Sequence, residues 1–250
     1  MKKAILTLAA LAAFSTSASA QEVLRVGTEG AYAPWNFVND AGELAGFEID
    51  LANAICEQTG MTCEIVQNDW DSIIPNLVAG NYDTIMAGMS ITEERLESIN
   101  FTQDYFPVDP SKYIALADAD LDLENPSGLR IGVQGNTIQA AYAEENFGDG
   151  NTIIAFATFD QSIADLAAGN VDVVLADGSS LEPVVANSGG ALAFFGEDVR
   201  VGGGVGAGVR KEDTELLATL DEALTALKAD GTVDALRAEW FDGVEPAYTE

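Results

Sequence analysis

Two segments of the chain repeat the same order of apolar and polar residues. LVAGNYDTIMAG runs from Leu77 to Gly88, and LAAGNVDVVLADG runs from Leu166 to Gly178. A second pair of similar segments lies upstream, with LRVGTEG at Leu24 to Gly30 and LRIGVQG at Leu129 to Gly135. The pattern therefore indicates that one structural unit occurs twice in the chain.

Each copy has the pattern of an amphipathic helix followed by a buried strand. In the first copy, apolar residues between Ile73 and Val78 recur at helical spacing. Gly80 and Gly169 are expected to end the two helices, because glycine readily takes the left-handed conformation at a helix C-terminus. The apolar run after each glycine predicts a buried strand. Strands that alternate with helices are typical of parallel sheets, so the sequence predicts two α/β lobes.

The residues that end the four repeated strands are expected to meet in one cleft. Ligands of open α/β sheets bind outside the carboxyl ends of the strands. These positions are held by Glu29, residues 88–90, residues 134–137 and Asp177. The sequence therefore predicts a binding site between the two lobes.

The C-terminal segment, Asp213 to Trp240, has a helical pattern and no partner sheet of its own, so we expect it to pack on the first lobe. The chain then crosses between the lobes twice, near Phe106 to Asp109 and near Gly202 to Val205, and two adjacent strands form a hinge. The glycine run from Gly202 to Ala207 fits a loose dinucleotide-binding fingerprint, but no helix opens directly after it. We interpret this run as hinge backbone.

Residues 1–20 have the three parts of a secretory signal peptide. Lys2 and Lys3 precede an apolar run from Ala4 to Phe14, and Ala18-Ser19-Ala20 provides a cleavage site of small residues. The apolar run is too short to span a bilayer, and no later segment offers the ~20 uncharged residues that a membrane helix needs. We expect cleavage after Ala20 and a soluble, exported mature chain.

The chain is strongly acidic, with 41 Asp and Glu residues, 11 Lys and Arg residues and a formal net charge of −30. Loss of Lys2 and Lys3 with the leader would make the charge more negative still. We expect no nucleic-acid partner, because phosphate binding needs clustered Lys and Arg. An acidic excess of this kind is more typical of a solvated surface than of a site.

Cys56 and Cys63 are the only two cysteines, and an exported protein favours a disulfide between them. A zinc site lacks ligands, because the chain contains no histidine and two thiolates do not complete a tetrahedral site. The acidic segment from Asp118 resembles a calcium loop, but Leu123 and Leu129 stand where glycine and glutamate are needed. We therefore expect no metal and no cofactor.

Four motifs follow one another along the chain: GTEGAYAPWNF, GFEIDLANAIC, WDSIIPNLVAGNYDTIMAGMSITEER and GVQGNTIQAAYA. Together they resemble the periplasmic polar-amino-acid binding proteins of ABC importers, bacterial extracellular solute-binding protein family 3. The resemblance covers Val23 to Asp242 and is nearest to the branch that binds lysine, arginine, ornithine, histidine and opines. It implies an α/β, two-lobed type II fold with two hinge strands that closes over one amino acid.

The resemblance also implies the domain organisation and the partners. Residues 21–107 and 205–250 would form lobe 1, and residues 108–204 would form lobe 2. The mature protein would be a periplasmic monomer that delivers its amino acid to an ABC permease in the inner membrane.

The resemblance assigns Arg95 as the clamp on the ligand's α-carboxylate, where a guanidinium can donate two parallel hydrogen bonds. The backbone N–H groups of Gly88 and Thr137 would assist it. Asp177 and the hydroxyl of Ser90 would receive the α-ammonium group. These groups together would recognise any α-amino acid.

The side chain of the ligand would lie between Tyr32 and Trp70, whose aromatic faces also suit a cation. Glu29 would meet the distal end of a basic side chain. Members of this branch often carry serines where this chain has Ala87 and Gly88, so only backbone contacts are expected there. Gln134, at the end of a repeated strand, completes the predicted ligand-binding set.

Two other functions remain open from the sequence. Some exported proteins with this fold are dehydratases, and Glu29 and Asp177 are the acid–base candidates because histidine and free thiols are absent. A binder of neutral polar amino acids is the second alternative, since Glu29 replaces the usual aspartate and changes its reach. We predict a binding protein, not an enzyme, with a cationic amino acid as its ligand.

Overall fold

The computed structural model describes residues 22–249. The predicted signal peptide, residues 1–20, lies outside the described residues. The described chain forms two five-stranded sheets and one three-stranded sheet. This arrangement confirms the predicted α/β fold with two lobes. None of the helices within residues 22–249 has the length and hydropathy needed to cross a membrane.

The elements alternate along the chain in the order that the repeats predict. The strands are β1 (Val23–Thr28), β2 (Ala31–Tyr32), β3 (Asn36–Val38), β4 (Leu44–Ala45), β5 (Thr62–Gln67), β6 (Thr84–Ile85), β7 (Ile99–Phe106), β8 (Ser111–Leu116), β9 (Arg130–Gln134), β10 (Thr152–Phe156), β11 (Val173–Asp177), β12 (Leu192–Val199) and β13 (Val205–Arg210). The helices are α1 (Phe47–Thr59), α2 (Ile73–Val78), α3 (Glu93–Ser98), α4 (Ile138–Phe147), α5 (Phe159–Ala167), α6 (Gly178–Asn187), α7 (Thr214–Ala229) and α8 (Thr232–Trp240). A short 3-10 turn, Trp70–Ser72, precedes α2.

The first sheet has the strand order β5-β1-β6-β13-β7, and the second has the order β10-β9-β11-β8-β12. In the first sheet β1 pairs in parallel with β5 and β6. In the second sheet β9 pairs in parallel with β10 and β11. The central parallel strands of each lobe are therefore the repeated strands of the sequence.

The prediction of parallel sheets is wrong for the strands that join the two lobes. β13 runs antiparallel to β6 and β7, and β8 runs antiparallel to β11 and β12. β8 and β13 enter their sheets directly from the other lobe, without the crossover helix that a parallel connection needs. Both large sheets are consequently mixed.

A bidentate Arg–Asp pair occupies the same place in both repeats. Arg25 donates to Asp83 from Nη2 at 2.7 Å and from Nε at 3.0 Å. Arg130 donates to Asp172 from Nη2 at 2.6 Å and from Nε at 3.1 Å. The first pair joins β1 to the residue before β6, and the second pair joins β9 to the residue before β11. These pairs explain why the polar positions recur as well as the apolar ones.

Glycine ends the repeated helices as predicted. Gly80 follows α2 with φ of 82°, and Gly169 follows α5 with φ of 73°. Both values lie in the left-handed region that an L-residue with a Cβ adopts only with strain. The buried side chains of α2 are Ile73 and Leu77, as the helical spacing predicts.

The C-terminal helices pack on the first lobe. α7 contacts α1 and β7, and α8 contacts α1 and α7. An aromatic cluster joins this layer to the sheet, with ring centroids 4.6 Å apart for Trp35 and Phe106 and 5.4 Å apart for Phe47 and Phe241. The chain passes between the sheets twice, from β7 to β8 and from β12 to β13. The exact lobe limits, residues 21–107 with 205–250 and residues 108–204, stay a prediction.

The predicted disulfide is present. Cys56, near the end of α1, is bonded to Cys63 on β5. No free cysteine occurs in the described part of the chain. The bond connects a helix to the edge strand that follows it, which confirms the prediction made from the exported character of the chain.

Candidate ligand-binding site

A cavity lies between the two lobes. Its walls contain all ten residues that the sequence predicts for ligand binding, together with two that it does not, Ile138 and Gln139. The lining residues are Glu29, Tyr32, Trp70, Ala87, Gly88, Ser90, Arg95, Gln134, Thr137, Ile138, Gln139 and Asp177. The structure therefore brings the predicted residues together, while their contact with a ligand stays a prediction.

The strand ends position the polar residues of the cavity. Glu29 directly follows β1, Gln134 is the last residue of β9, and Asp177 is the last residue of β11. Parallel strands of one sheet end at the same edge, and the edges of the two sheets face each other across the cavity. The cavity thus has charged and polar groups from both lobes.

Arg95 lies in the first turn of α3, which Thr92 caps by accepting a hydrogen bond from the Arg95 N–H. Its guanidinium lies over the Trp70 ring at 5.3 Å and donates from Nη1 to the Ser90 carbonyl at 2.8 Å. Burial lowers the pKa of Arg95 to about 10, although the negative charges of Asp177 and Glu94 oppose this shift. The group is still a cation at neutral pH.

Arg95 has no carboxylate partner within ion-pair distance among residues 22–249. In this it differs from six other basic residues, each of which does pair with an acid: Arg25, Lys112, Arg130, Arg210, Lys228 and Arg237. A cation that is desolvated without a counter-ion is unfavourable by itself. Arg95 is therefore prepared to receive an anion from outside the chain.

Asp177 faces the same cavity and accepts two hydrogen bonds. Tyr32 Oη donates to it at 2.6 Å across the lobes, and Gln139 Nε2 donates to it at 2.7 Å. Burial raises the pKa of Asp177 to about 6, while these hydrogen bonds and the charge of Arg95 oppose the shift. A neighbouring cation would restore full ionisation of this carboxylate.

A second carboxylate lies behind Asp177. Asp109 accepts a hydrogen bond from the Ser179 N–H at 3.2 Å, at the start of α6. Burial, followed by the charge of Asp177, raises the pKa of Asp109 to about 7. A ligand ammonium group on this side of the cavity would favour the ionised form of both acids.

Glu29 is 5% exposed and accepts a hydrogen bond from Gln134 Nε2 at 2.7 Å. Burial raises the pKa of Glu29 to about 7. The hydrogen bond from Gln134 opposes this shift, and the charges of Asp160, Asp69 and Asp71 add to it. At neutral pH the carboxyl group is therefore close to its midpoint of ionisation.

The Gly88 N–H does not have the predicted role. It donates to both carboxylate oxygens of Glu48, each at 2.8 Å, and so it is not free for a ligand carboxylate. Glycine is favoured there, because φ is 61° and an added Cβ would lie 3.3 Å from the Tyr32 ring, which would have to shift. Both features disfavour a serine at position 88 in this chain.

Thr137 caps α4 with its hydroxyl, which accepts from the Ala140 N–H at 3.1 Å and donates to the Gln134 carbonyl at 2.7 Å. Within residues 22–249 no hydrogen bond is found for the Thr137 N–H itself. Its predicted role toward the ligand carboxylate is thus compatible with the geometry and stays a prediction.

Glu48 is the principal residue that the sequence interpretation missed. It is fully buried in the first turn of α1, where it accepts from Asn36 Nδ2 at 2.8 Å and from the Tyr105 hydroxyl. Asn36 in turn accepts from the Gly30 N–H at 2.7 Å. Glu48 therefore fixes the two segments that carry Glu29 and Gly88. A glutamate between apolar residues in GFEIDL was the available signal.

Gln139 was also missed. Its amide donates to Ser111 Oγ at 2.9 Å as well as to Asp177. Gln139 is 4% exposed in the first turn of α4, whereas the sequence shows only a polar residue two positions after the Thr137 cap. Among the described residues no group of His, Cys, Asp and Glu is placed to bind a metal ion.

The family model for bacterial extracellular solute-binding proteins, family 3, matches residues 24–243. The chain belongs to this family. It is 35% identical over 260 residues to the histidine-binding periplasmic protein of Escherichia coli strain K12, covering 97% of this chain and 98% of that protein. It is 36% identical over 255 residues to the lysine/arginine/ornithine-binding periplasmic protein of the same strain, with the same coverage of 97% and 98%.

A solved structure gives a further match for this family 3 chain. A periplasmic His/Glu/Gln/Arg/opine family-binding protein from Silicibacter pomeroyi, in complex with lysine, superposes with a TM-score of 0.84 and 52% identity. The match covers 90% of this chain and 100% of that one. The chain is thus an amino-acid-binding protein of the ABC transporter type and not an enzyme. The dehydratase alternative is accordingly set aside.

Proposed function

We propose that the mature protein is a periplasmic monomer that binds a cationic amino acid, with arginine preferred, and delivers it to an ABC permease in the inner membrane. The observation that carries the proposal is the charge arrangement of the cavity. An unpaired Arg95 is exposed to the same cavity as two carboxylates, the buried Glu29 and the half-buried Asp177. A ligand with one anionic and two cationic groups matches this arrangement.

The α-amino acid end of the ligand binds between Arg95 and Asp177. The guanidinium of Arg95 retains donors beyond the one that contacts Ser90, and these form hydrogen bonds to the α-carboxylate. Asp177 and the Ser90 hydroxyl accept from the α-ammonium group. Because all α-amino acids share these groups, this part of the site gives affinity without selecting a side chain.

The side chain of the ligand lies between Tyr32 and Trp70 and ends at Glu29. Glu29 is buried, and the nearby carboxylates of Asp160, Asp69 and Asp71 disfavour its charge. A cation at this place relieves that repulsion. Guanidinium suits the slot best because it is planar, stacks on aromatic rings and is less strongly hydrated than an ammonium group.

The relatives support a cationic ligand. Their names refer to histidine and to lysine, arginine and ornithine, and the Silicibacter pomeroyi structure contains lysine. Export is supported by the predicted signal peptide, residues 1–20, and by the periplasmic names of the relatives. Transfer to a permease is the general role of the family.

Neutral polar amino acids are the second candidate ligands. The pKa of Glu29 is raised to about 7, so a fraction of the empty protein carries an uncharged Glu29 at neutral pH. An uncharged carboxyl group can donate as well as accept a hydrogen bond, and glutamine could then occupy the slot.

Isothermal titration calorimetry of the mature protein against arginine, lysine, ornithine, histidine, glutamine and glutamate tests the proposal. Arginine should bind most tightly and glutamate should not bind. A thermal-shift screen gives an independent result, because a ligand at ~100 times its Kd adds ~2.7 kcal/mol to the free energy of unfolding. A preference for glutamine or glutamate over every basic amino acid would refute the cationic assignment.

A further inference from the structure

Hydrogen bonds between the two lobes fall into two groups. Tyr32 to Asp177 and Gln134 to Glu29 join groups inside the cavity. Under the proposed function, the α-ammonium and the ligand's distal cation compete for these same carboxylates. The other group does not involve the predicted ligand-binding carboxylates, so its bonds can persist when a ligand is bound.

Trp35 Nε1, which donates to Ser179 Oγ at 3.0 Å, belongs to this second group, and Asn136 makes two further contacts of the group at the rim of the cavity. Its Nδ2 donates to Asp71 Oδ1 at 2.9 Å, and its carbonyl accepts from Trp70 Nε1 at 3.3 Å. Trp70 and Asp71 belong to the first lobe, whereas Asn136 lies between β9 and α4 in the second. Separation of the lobes would break both hydrogen bonds.

The backbone of Asn136 is adapted to this contact. With φ of 55°, it is the only non-glycine residue within the described part of the chain that has a positive φ. Left-handed backbone is unfavourable for most L-residues, but asparagine tolerates it comparatively well. A less common conformation is thus used at the point where the second lobe reaches the Trp70–Asp71 turn.

We propose that Asn136 is a positioning residue that clasps the Trp70–Asp71 turn in the closed state and thereby slows release of the ligand. Through its carbonyl it holds the Trp70 ring as one wall of the slot, and through its side chain it holds the lobes together. It does not line the cavity. This proposal rests on the proposed function for its ligand, but not for the contact between the lobes.

The clasp acts on release more than on capture. Because the contacts form only on closure, their loss lowers the population of the closed state and leaves the encounter of ligand with the open protein unchanged. One hydrogen bond of this exposed kind corresponds to roughly a threefold to tenfold change in an equilibrium or rate constant. The expected signature is therefore a faster koff at constant kon.

Stopped-flow measurement of arginine binding to Asn136→Gly tests the clasp. Glycine keeps the positive φ without strain and removes only the side chain. We expect koff to rise about threefold to tenfold and kon to stay within about twofold. The matched control is Asn170→Gly, which removes an exposed Asn–Asp hydrogen bond, Asn170 Nδ2 to Asp165 Oδ1 at 2.6 Å, within the second lobe. An equal koff in the two variants would refute the proposal.

Asp71 requires its own pair of variants, because its charge also acts on Glu29. Asp71→Asn keeps an oxygen that can accept from Asn136, and Asp71→Ala removes it. The clasp predicts a raised koff for Asp71→Ala, a nearly normal koff for Asp71→Asn, and no further increase when Asp71→Ala is combined with Asn136→Gly. Equal effects of Asp71→Asn and Asp71→Ala would show that charge, not the hydrogen bond, matters.

Small-angle scattering separates failure of the clasp from failure of the proposed function. If the parent protein binds none of the amino acids, the proposed function is wrong and the lobes can still be compared without ligand. The clasp then predicts a larger radius of gyration for Asn136→Gly than for the parent. Identical scattering curves for the parent and Asn136→Gly in the absence of ligand would overturn the clasp in that case.

Discussion

The two lobes share the same repeated arrangement of strands and helices, and they differ in the residues at the carboxyl ends, or tips, of the repeated strands. Arg25 with Asp83 in the first lobe and Arg130 with Asp172 in the second form pairs of nearly equal geometry, with Nη2–Oδ1 distances of 2.7 and 2.6 Å. Both pairs lie at the amino ends of the strands, away from the cavity. The repeated polar positions therefore stabilise the lobes and do not select a ligand.

The tips of the repeated strands carry different chemistry. Glu29 and Gln134 hold equivalent places in LRVGTEG and LRIGVQG, and they meet each other across the cavity at 2.7 Å. Gly88 and Asp177 are likewise equivalent in the longer repeat. The Gly88 N–H donates to the buried Glu48, whereas the Asp177 carboxylate faces the cavity. Similar scaffolds thus present an acid from one lobe opposite an amide from the other.

Arg95→Ala should have the largest effect on ligand affinity, because only the first lobe supplies a cation that can bind the ligand's carboxylate. Removing one partner of a desolvated charge pair costs about 2–5 kcal/mol, so every amino acid should bind at least about 30-fold more weakly. Arg200→Ala, which removes an exposed arginine, is the control. Calorimetry that shows arginine binding to Arg95→Ala within about threefold of the parent would exclude the clamp.

Glu29→Gln gives both tips the same side chain and should be the next largest change. Arginine should lose about 2–3 kcal/mol of binding free energy, because its cation faces an amide instead of a carboxylate. Glutamine should lose much less. The double replacement Glu29→Gln with Gln134→Glu moves the acid to the second lobe and should recover part of the arginine affinity. Unchanged arginine binding by Glu29→Gln would mean that Glu29 is structural.

The pH dependence sharpens the same difference between the tips. The pKa of Glu29 is raised to about 7, so protons compete with a cationic ligand below that pH. Arginine should bind roughly 10- to 30-fold more weakly at pH 5.5 than at pH 8. Calorimetry in buffers of different ionisation enthalpy should detect proton release on binding at neutral pH. In Glu29→Gln most of the dependence should vanish, and the rest should follow Asp177, whose pKa is raised to about 6.

Rising pH should strengthen arginine binding, but it should weaken the contribution of Glu29 to the stability of the ligand-free protein. Because the folded-state pKa of Glu29 lies above its ordinary value of 4.5, the folded protein holds more protons than the unfolded chain between these values. The contribution of Glu29 to the free energy of unfolding should therefore decrease as the pH rises from about 4.5 to about 7. Urea titrations of the parent and Glu29→Gln across this range measure the difference.

The smallest expected effect concerns the shared scaffold. Asp83→Asn should lower the free energy of unfolding by about 1 kcal/mol after solvent screening is allowed for. Asp172→Asn should lower it less, because Arg210 also contacts Asp83 at 3.4 Å while Asp172 has only Arg130 as an ion-pair partner within residues 22–249. Urea unfolding at neutral pH provides both values. A larger loss for Asp172→Asn would contradict this ranking.

Much of the fold could be predicted because the repeats combine helical spacing, terminal glycines and apolar strands in one order. The three-stranded sheet of β2, β3 and β4 could not, because strands of two or three residues are too short to show an alternating pattern. The antiparallel direction of β8 and β13 depends on how the chain crosses between the lobes. That is a property of the tertiary fold and leaves no local signal.

The candidate site could be predicted as a set of residues, but the partners of each residue could not. The Gly88 N–H was assigned to a ligand because nothing near position 88 in sequence reveals that Glu48 reaches it. Gln139 likewise donates to Ser111, at the start of β8, and Asn136 donates to Asp71 in the other lobe. Residue types follow from local sequence, whereas hydrogen-bond partners follow from packing.

The three tryptophans are intrinsic fluorescence probes of the protein. Trp35 Nε1 donates across the lobes to Ser179 Oγ at 3.0 Å, and Trp70 Nε1 donates across them to Asn136. Trp240 Nε1 donates to Asp50 at 2.8 Å within the first lobe. Indole emission responds to hydrogen bonding and to water, so two of the emitters report the motion of the lobes while the third supplies a constant background. Opening and closing can therefore be followed in the unlabelled protein by ultraviolet excitation alone.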